Sequence, residues 1–290
     1  MLPGTSSEDL LYISDTRTVH VYTYPELKPV VQLSGMSPSA NFTGLCVDPQ
    51  GNVFVPTWQG ESGVPGYVYK FAHGGSTPIA TLSDPGGAVG CSVDLGTGNL
   101  AVTNGLAPGS EFHHGNVAIY QHAQGTPTIY TDPDIYWPSW VAYDNHGDLF
   151  IDGNTEVSGL PLAELVKGSR KFRRVSLNEQ FDPLSLQWEK GYLVIAGSAR
   201  NYGPQYIYQV QMTGLSGTIV KTTRLDNQVE YDGNGQYWVQ GHRILGPGRE
   251  HYRLQVWRFP KGGHSVDGIS GLTPWGVTIS LAPSASHVRK

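Results

Sequence analysis

Long apolar runs are missing from this chain. No stretch of about 18 apolar residues occurs, so no membrane-spanning helix is encoded. Charge is scarce as well: 15% of the 290 residues are charged, and 19 Lys and Arg against 24 Asp and Glu leave a net charge of −5. That balance excludes a general nucleic-acid or membrane-surface binder, whose affinity comes from many basic contacts. The one basic run, Lys167 to Arg174, falls where outer strands are expected and reads as a solvated edge that discourages strand addition. Cysteine is limited to Cys46 and Cys91, which excludes a disulfide-stapled miniature fold and the cysteine spacing of zinc sites. No Gly-x-Ser-x-Gly elbow, Walker loop or His-Glu-x-x-His stretch is found either. No signal peptide is visible. Met1 is followed by Leu-Pro-Gly-Thr-Ser-Ser, which reads as a trimmed start, and a secreted or periplasmic protein with its leader removed is expected.

What the chain has in abundance is turns between short strands, with Gly 37 and Pro 20. One phrase recurs: Gly44-Leu-Cys-Val-Asp48-Pro-Gln-Gly51-Asn-Val-Phe-Val55 returns from Gly90 to Val102 and again from Trp140 to Ile151. Weaker copies run from Ser185 to Ile195 and from Val229 to Val239. Each reads as strand, Asp/Gly turn, strand, at a period of about 45 residues, within the range of propeller blades. Two further strands follow in most units. Third strands such as Tyr67–Phe71, Asn116–Tyr120 and Tyr206–Val210 alternate aromatic and β-branched residues. Fourth strands begin at Pro29, Pro78, Pro127, Phe172 and Gly217. Leu10–Asp15 is a second strand with no first strand before it, and Pro274–Ser280 is a first strand with no second after it. Joining them completes a blade. The expected fold is therefore all-β: a six-bladed β-propeller of four antiparallel strands per blade. It forms one domain over 1–290, with the blade shared between the termini completed by 272–283.

The hydrophobic-Asp-x-x-Gly-x-hydrophobic phrase resembles that of six-bladed propellers of the NHL-repeat and gluconolactonase-like (SMP-30-like) type, over nearly the whole chain. That resemblance implies a divalent cation, calcium or magnesium, at the channel mouth, held by oxygen ligands and polarising a lactone carbonyl or activating water. Asn104, Asp152, Glu156 and Glu230 are the candidate ligands here. Pro274-Trp-Gly276 takes the place of the family's Glu-Gly-Pro start without the preceding Glu. A second enzymatic reading uses His113, His114 or His242 as general acid or base with Glu156 as partner, similar to the histidine logic of streptogramin lyases.

First-to-second and third-to-fourth strand turns read as short, and second-to-third connections as long. Long loops gathered on one face of a rigid scaffold are where binding residues concentrate. They and the inter-blade links bring Trp58, Glu61, Asn104, His113, Trp137, Asp152, Asn154, Ser198, Arg200, Tyr202, Arg243 and Trp275 toward that face. Trp58, Asn104, Asp152, Ser198 and His242 are expected nearest the axis. Aromatic rings interspersed with amides and carboxylates suit a polar ligand with apolar faces, such as a sugar, or a protein segment. The expectation is a monomeric binding module, with a metal-dependent hydrolase as the alternative. Cys46 and Cys91 leave neighbouring strands on faces that can meet; two buried free thiols are the expectation.

Overall fold

The computed structural model of the protein describes residues 7–59, 64–108, 114–155, 161–179, 181–198, 205–226, 235–248 and 252–283, with the Asp182 side chain outside that description. Strands β1 (Asp9–Asp15), β2 (Thr18–Tyr24) and β3 (Pro29–Gln32) form a sheet with β25 (Pro274–Ser280), in the order β25-β1-β2-β3. The two ends of the chain thus pair side by side, Leu10 opposite Ser280 and Ile13 opposite Val277. A second sheet holds the short segments β4 (Asn41–Phe42) and β5 (Cys46–Val47), both against β6 (Val53–Trp58), followed by β7 (Gly66–Phe71) and β8 (Ala80–Asp84). The third runs through β9 (Gly87–Val93), β10 (Leu100–Leu106), β11 (Asn116–Tyr120) and β12 (Thr128–Tyr130).

An eight-stranded sheet comes next. Its halves are β13 (Trp137–Tyr143), β14 (Leu149–Asn154), β15 (Leu162–Leu165), β16 (Arg173–Leu177) and β17 (Asp182–Glu189), β18 (Tyr192–Ser198), β19 (Gln205–Thr213), β20 (Ser216–Leu225). They join only where β16 and β20 run parallel, at Ser176 opposite Ser216 and Leu177 opposite Gly217. The last sheet is β21 (Trp238–Gln240), β22 (Arg243–Pro247), β23 (Arg253–Arg258) and β24 (Asp267–Ser270). Helix among the described residues amounts to one 3-10 turn, Gln121–Ala123, and the single 3-10 residue Ser7. No helix of the described residues is long and apolar enough to cross a membrane.

The repeated phrase works as a turn. Asp48 Oδ1 accepts the N–H groups of Gln50 (3.0 Å) and Asn52 (2.8 Å), and Asp144 Oδ1 those of His146 and Asp148, both at 2.8 Å. The glycine that closes each turn lies in the left-handed region, φ +80° at Gly51 and +88° at Gly147, where a side chain would be strained. The recurring aspartates are occupied in holding hairpins.

Apolar clusters fill the spaces between successive sheets. Leu10 and Tyr12 pack on Val53 and Phe71, and Phe54 on Val102 and Tyr120. Ala101 and Val117 pack on Val141 and Ile151, and Trp140 and Phe150 on Leu186 and Ile195. Val194 and Ile207 meet Val239 and Trp257; Leu245 and Val256 return to Leu11 and Ile13. The fourth of these clusters separates the two halves of the eight-stranded sheet. Polar side chains stitch the innermost strands. Gln187 grips the Val239 backbone at both N–H and C=O, and Gln236 does the same to Leu45 while also accepting from Val277 N–H. The arrangement is propeller-like.

Three expectations need correction. The cysteines are not free thiols: Cys46 and Cys91 form a disulfide, with Cα atoms 5.6 Å apart, between β5 and β9. Opposed faces of neighbouring inner strands bring the sulfurs within bonding reach once the sheets pack. The fifth repeat is displaced. Asp232 to Gly235 imitates the hairpin phrase, but the inner strand is β21, and its turn is Gly241-His242 with Gly241 at φ +59°. His242 and Arg243 therefore sit on the rim opposite the second-to-third connections. Finally, third-to-fourth connections are not uniformly short; 72–79 and 259–266 match the second-to-third connections in length, because β8 begins only at Ala80 and β24 at Asp267.

Candidate functional site

A cavity of about 420 Å³ opens on the rim where β6, β10 and β14 end and β13, β17 and β25 begin. Four indoles line it, those of Trp58, Trp137, Trp140 and Trp275, with Asp152, Asn154 and a backbone rich in glycine and alanine. A second hollow of about 210 Å³, around Cys46, Cys91, Gln187 and Gln236, shares no lining residue with it.

The glycines make room for the rings. A Cβ at Gly87 would stand 2.9 Å from Trp58 Cδ1, one at Gly105 2.5 Å from Trp137 Cε2, and one at Gly44 2.7 Å from Trp140 Cζ3. Each indole thus beds directly on a neighbouring strand's backbone, the use of strand glycine that lets a side chain approach closely. Trp140 is buried, Trp58 and Trp137 are half-buried, and Trp275 is 40% exposed at the mouth.

Asp152 is 1% exposed and is the single ionisable side chain lining the cavity among the described residues. Its position follows from a bulge. β13 loses register with β14 between Pro138 and Val141, which leaves the Trp140 N–H without a strand partner. Asp152 Oδ1 accepts that N–H at 2.8 Å, while Oδ2 has no hydrogen-bond partner among the described residues. Burial pushes the carboxyl up to about 7 from 3.8, opposed only by the Trp140 hydrogen bond.

The sign of the resulting pH dependence is set by the native state holding its proton more tightly than the unfolded chain. Between about pH 4 and pH 7 the Asp152 contribution to stability is lost as pH rises, by about 4 kcal/mol at most. Asp152→Asn keeps an oxygen for the Trp140 N–H and removes the charge. Its melting temperature should exceed wild type at pH 8 and converge with it near pH 4. Asp84, raised to about 6 by burial, contributes equally to both proteins and drops out of the difference. A variant less stable than wild type at pH 8 would count against an ionised, unpaired Asp152.

Of the sequence-derived candidates, Trp58, Trp137, Asp152, Asn154 and Trp275 converge on this cavity. Asn104 does not. It is fully buried, donates to Asn116 Oδ1 at 2.9 Å, and belongs to a network with Asp84 and Tyr120 beneath Gly86. Ser198 ends β18 and is not part of the lining, nor is His114, which is exposed. Arg243 donates to the Pro25 carbonyl at 3.0 Å and lies over the Tyr24 ring on the opposite rim. Glu61, His113, Glu156, Arg200, Tyr202 and Glu230 lie outside the described residues. Trp140 was not among the candidates. The signal for it is its place in the repeat, where Gly44 and Gly90 are its counterparts: one large side chain over two absent ones.

The donor set does not suit the divalent cation that the family resemblance implies. Calcium and magnesium take six or more oxygens. Among the described residues no three of His, Cys, Asp and Glu come together, and Asp152 alone of the described candidates offers a carboxylate to the cavity.

No protein-family model matches the chain, and no curated protein matches it in sequence. Solved structures do resemble it in shape. A chain of a nidogen/laminin complex is similar at TM-score 0.65 and 12% identity, covering 94% of this chain and 99% of that one. A Bacteroides caccae protein of unknown function gives 0.63 at 11% identity, with the same 94% and 99% coverage. The β-propeller domain of Myceliophteria thermophila Cps50 (Swd1) gives 0.54 at 12%, covering 94% and 89%. At such identities the likeness carries the fold, a β-propeller, and nothing about activity.

Proposed function

We propose that the chain is a six-bladed propeller acting as a binding module, whose ligand enters the four-tryptophan cavity as a small molecule or as a side chain on a protein segment. The blade count is supported by the six clusters between successive sheets, one of which divides the eight-stranded sheet into two blades. It is supported too by the blade shared between β25 and β1, and a single domain follows from that reading. The observation that carries the function is the convergence of Trp58, Trp137, Trp140 and Trp275 around one buried carboxylate whose Oδ2 has no hydrogen-bond partner among the described residues. An apolar pocket with few, placed polar groups is the usual form of a small-ligand site. The nidogen/laminin structure, similar in shape and solved as a complex, supports the protein-segment version. The disulfide supports a secreted or periplasmic setting, since such bonds persist in oxidising compartments.

A panel of methyl glycosides, polyols, amines, amino acids and short peptides at millimolar concentration tests this reading. At least one member should raise the melting temperature and change indole fluorescence in wild type, with the response reduced about tenfold in Trp275→Ala. A panel in which every response survives that substitution would place the ligand elsewhere.

A further inference from the structure

The cavity's chemistry narrows the ligand. Its walls are mostly indole and small aliphatic groups, interrupted by Thr43, Ser139 and Asn154, and its single ionisable lining residue among the described ones is an acid. That acid has one oxygen committed to the Trp140 N–H and one buried without a hydrogen-bond partner among the described residues, as is Trp58 Nε1. We infer that the site takes an organic cation of the alkylated ammonium type, with the indoles as its walls and Asp152 as its counter-charge. This rests on the binding reading above.

Three alternatives fit less well. A metal ion needs many more oxygens than one. A primary ammonium carries three donors that must all be met by direct hydrogen bonds, and Asp152 Oδ2 is buried away from direct contact. A sugar presents several hydroxyls, each donor and acceptor, and with the Thr43 and Ser139 hydroxyls already donating to backbone carbonyls the lining side chains leave most of them unpaired. An alkylated ammonium differs from all three: its charge is spread over methyl groups that need no hydrogen bonds. It is weakly hydrated and so enters an apolar cavity at low desolvation cost, and aromatic faces attract it through their quadrupoles. Asp152, 1% exposed and with Oδ2 unpartnered among the described residues, then gains the opposite charge. A buried charge without a partner is costly to keep, and a cationic ligand is what makes that arrangement favourable.

Such a cation can arrive free or as a methylated lysine on a protein, and the two are separable. Calorimetry with choline, tetramethylammonium and 3,3-dimethyl-1-butanol, the uncharged carbon isostere of choline, tests the charge at constant shape. Choline or tetramethylammonium should bind at least tenfold more tightly than the isostere, and Asp152→Asn should abolish that preference. Trp275→Leu, at an exposed position, keeps apolar surface but removes a ring face, and should weaken the cations about threefold to tenfold. A short peptide with one trimethyllysine, against its unmodified twin, reports the protein source; tight binding there with weak choline binding assigns the cation to a protein side chain. The inference is overturned if isostere and choline bind alike, if Asp152→Asn leaves the preference intact, or if no cationic probe binds. In the first of these, or where only a glycoside of the panel binds, the cavity remains the ligand site and only its charge selectivity falls. When no probe of any kind responds to the cavity substitutions, the binding reading falls as well.

Discussion

Deleting residues 274–290 is expected to leave a chain with no cooperative unfolding transition. β25 supplies Val277 and Ile279, exposed by 1% and 2%, to the cluster that also holds Leu11, Ile13, Leu245 and Val256. Two such side chains contribute about 3–6 kcal/mol by burial alone. The strand's hydrogen bonds with β1, plus Val277 N–H to Gln236, add about 1 kcal/mol each. The sum, about 10 kcal/mol, matches the whole stability of a typical domain. Further links tie the same end down: Ser280 Oγ donates to the Gly51 carbonyl at 2.6 Å and also meets His73 Nδ1 at 2.6 Å, and Ala282 N–H reaches Asp9 Oδ1 at 2.8 Å. Near-UV circular dichroism and urea titration of the truncated chain are the check. A sigmoidal transition close to the wild-type midpoint would mean that the sheet of β1 to β3 stands without its fourth strand.

The next largest effect belongs to the disulfide. A crosslink spanning 45 residues removes enough unfolded-state entropy for about 4 kcal/mol in the chain-entropy treatment. Replacing both cysteines by alanine should therefore lower the urea midpoint by about 1 M, and reduction of the wild type should reproduce the shift. Thiol titration of the unreduced protein in denaturant gives an independent reading, with no free thiol expected. Recovery of two thiols per chain would refute the bond itself.

Strand order and terminal closure were legible in the sequence because each rests on local patterning. Alternation along Asn116–Tyr120 predicted β11 to the residue, and the orphan strands at the two ends predicted their own pairing. β15 and β24 carry no such signal: Leu162–Leu165 is buried throughout and does not alternate, and Asp267–Ser270 is a short outer strand. The disulfide depended on inter-sheet distance, which no single-strand pattern encodes. The lining of the candidate cavity was half legible. Trp58, Trp137, Asp152, Asn154 and Trp275 follow from their places at strand ends, whereas Asn104 occupies an equivalent end and is claimed by Asn116 and Asp84. His242 and Arg243 were misplaced because an Asp-Gly-Asn-Gly stretch copied the hairpin phrase one strand too early.

Trp140, laid across Gly44 and Gly90, lines the tryptophan hollow, and the second hollow has walls of its own. The two are in that sense separate cups and not one tube. Whatever settles inside must leave by the door it came in through, so residence time would be set by the rim near Trp275, and widening the base with Trp140→Ala would open a back exit.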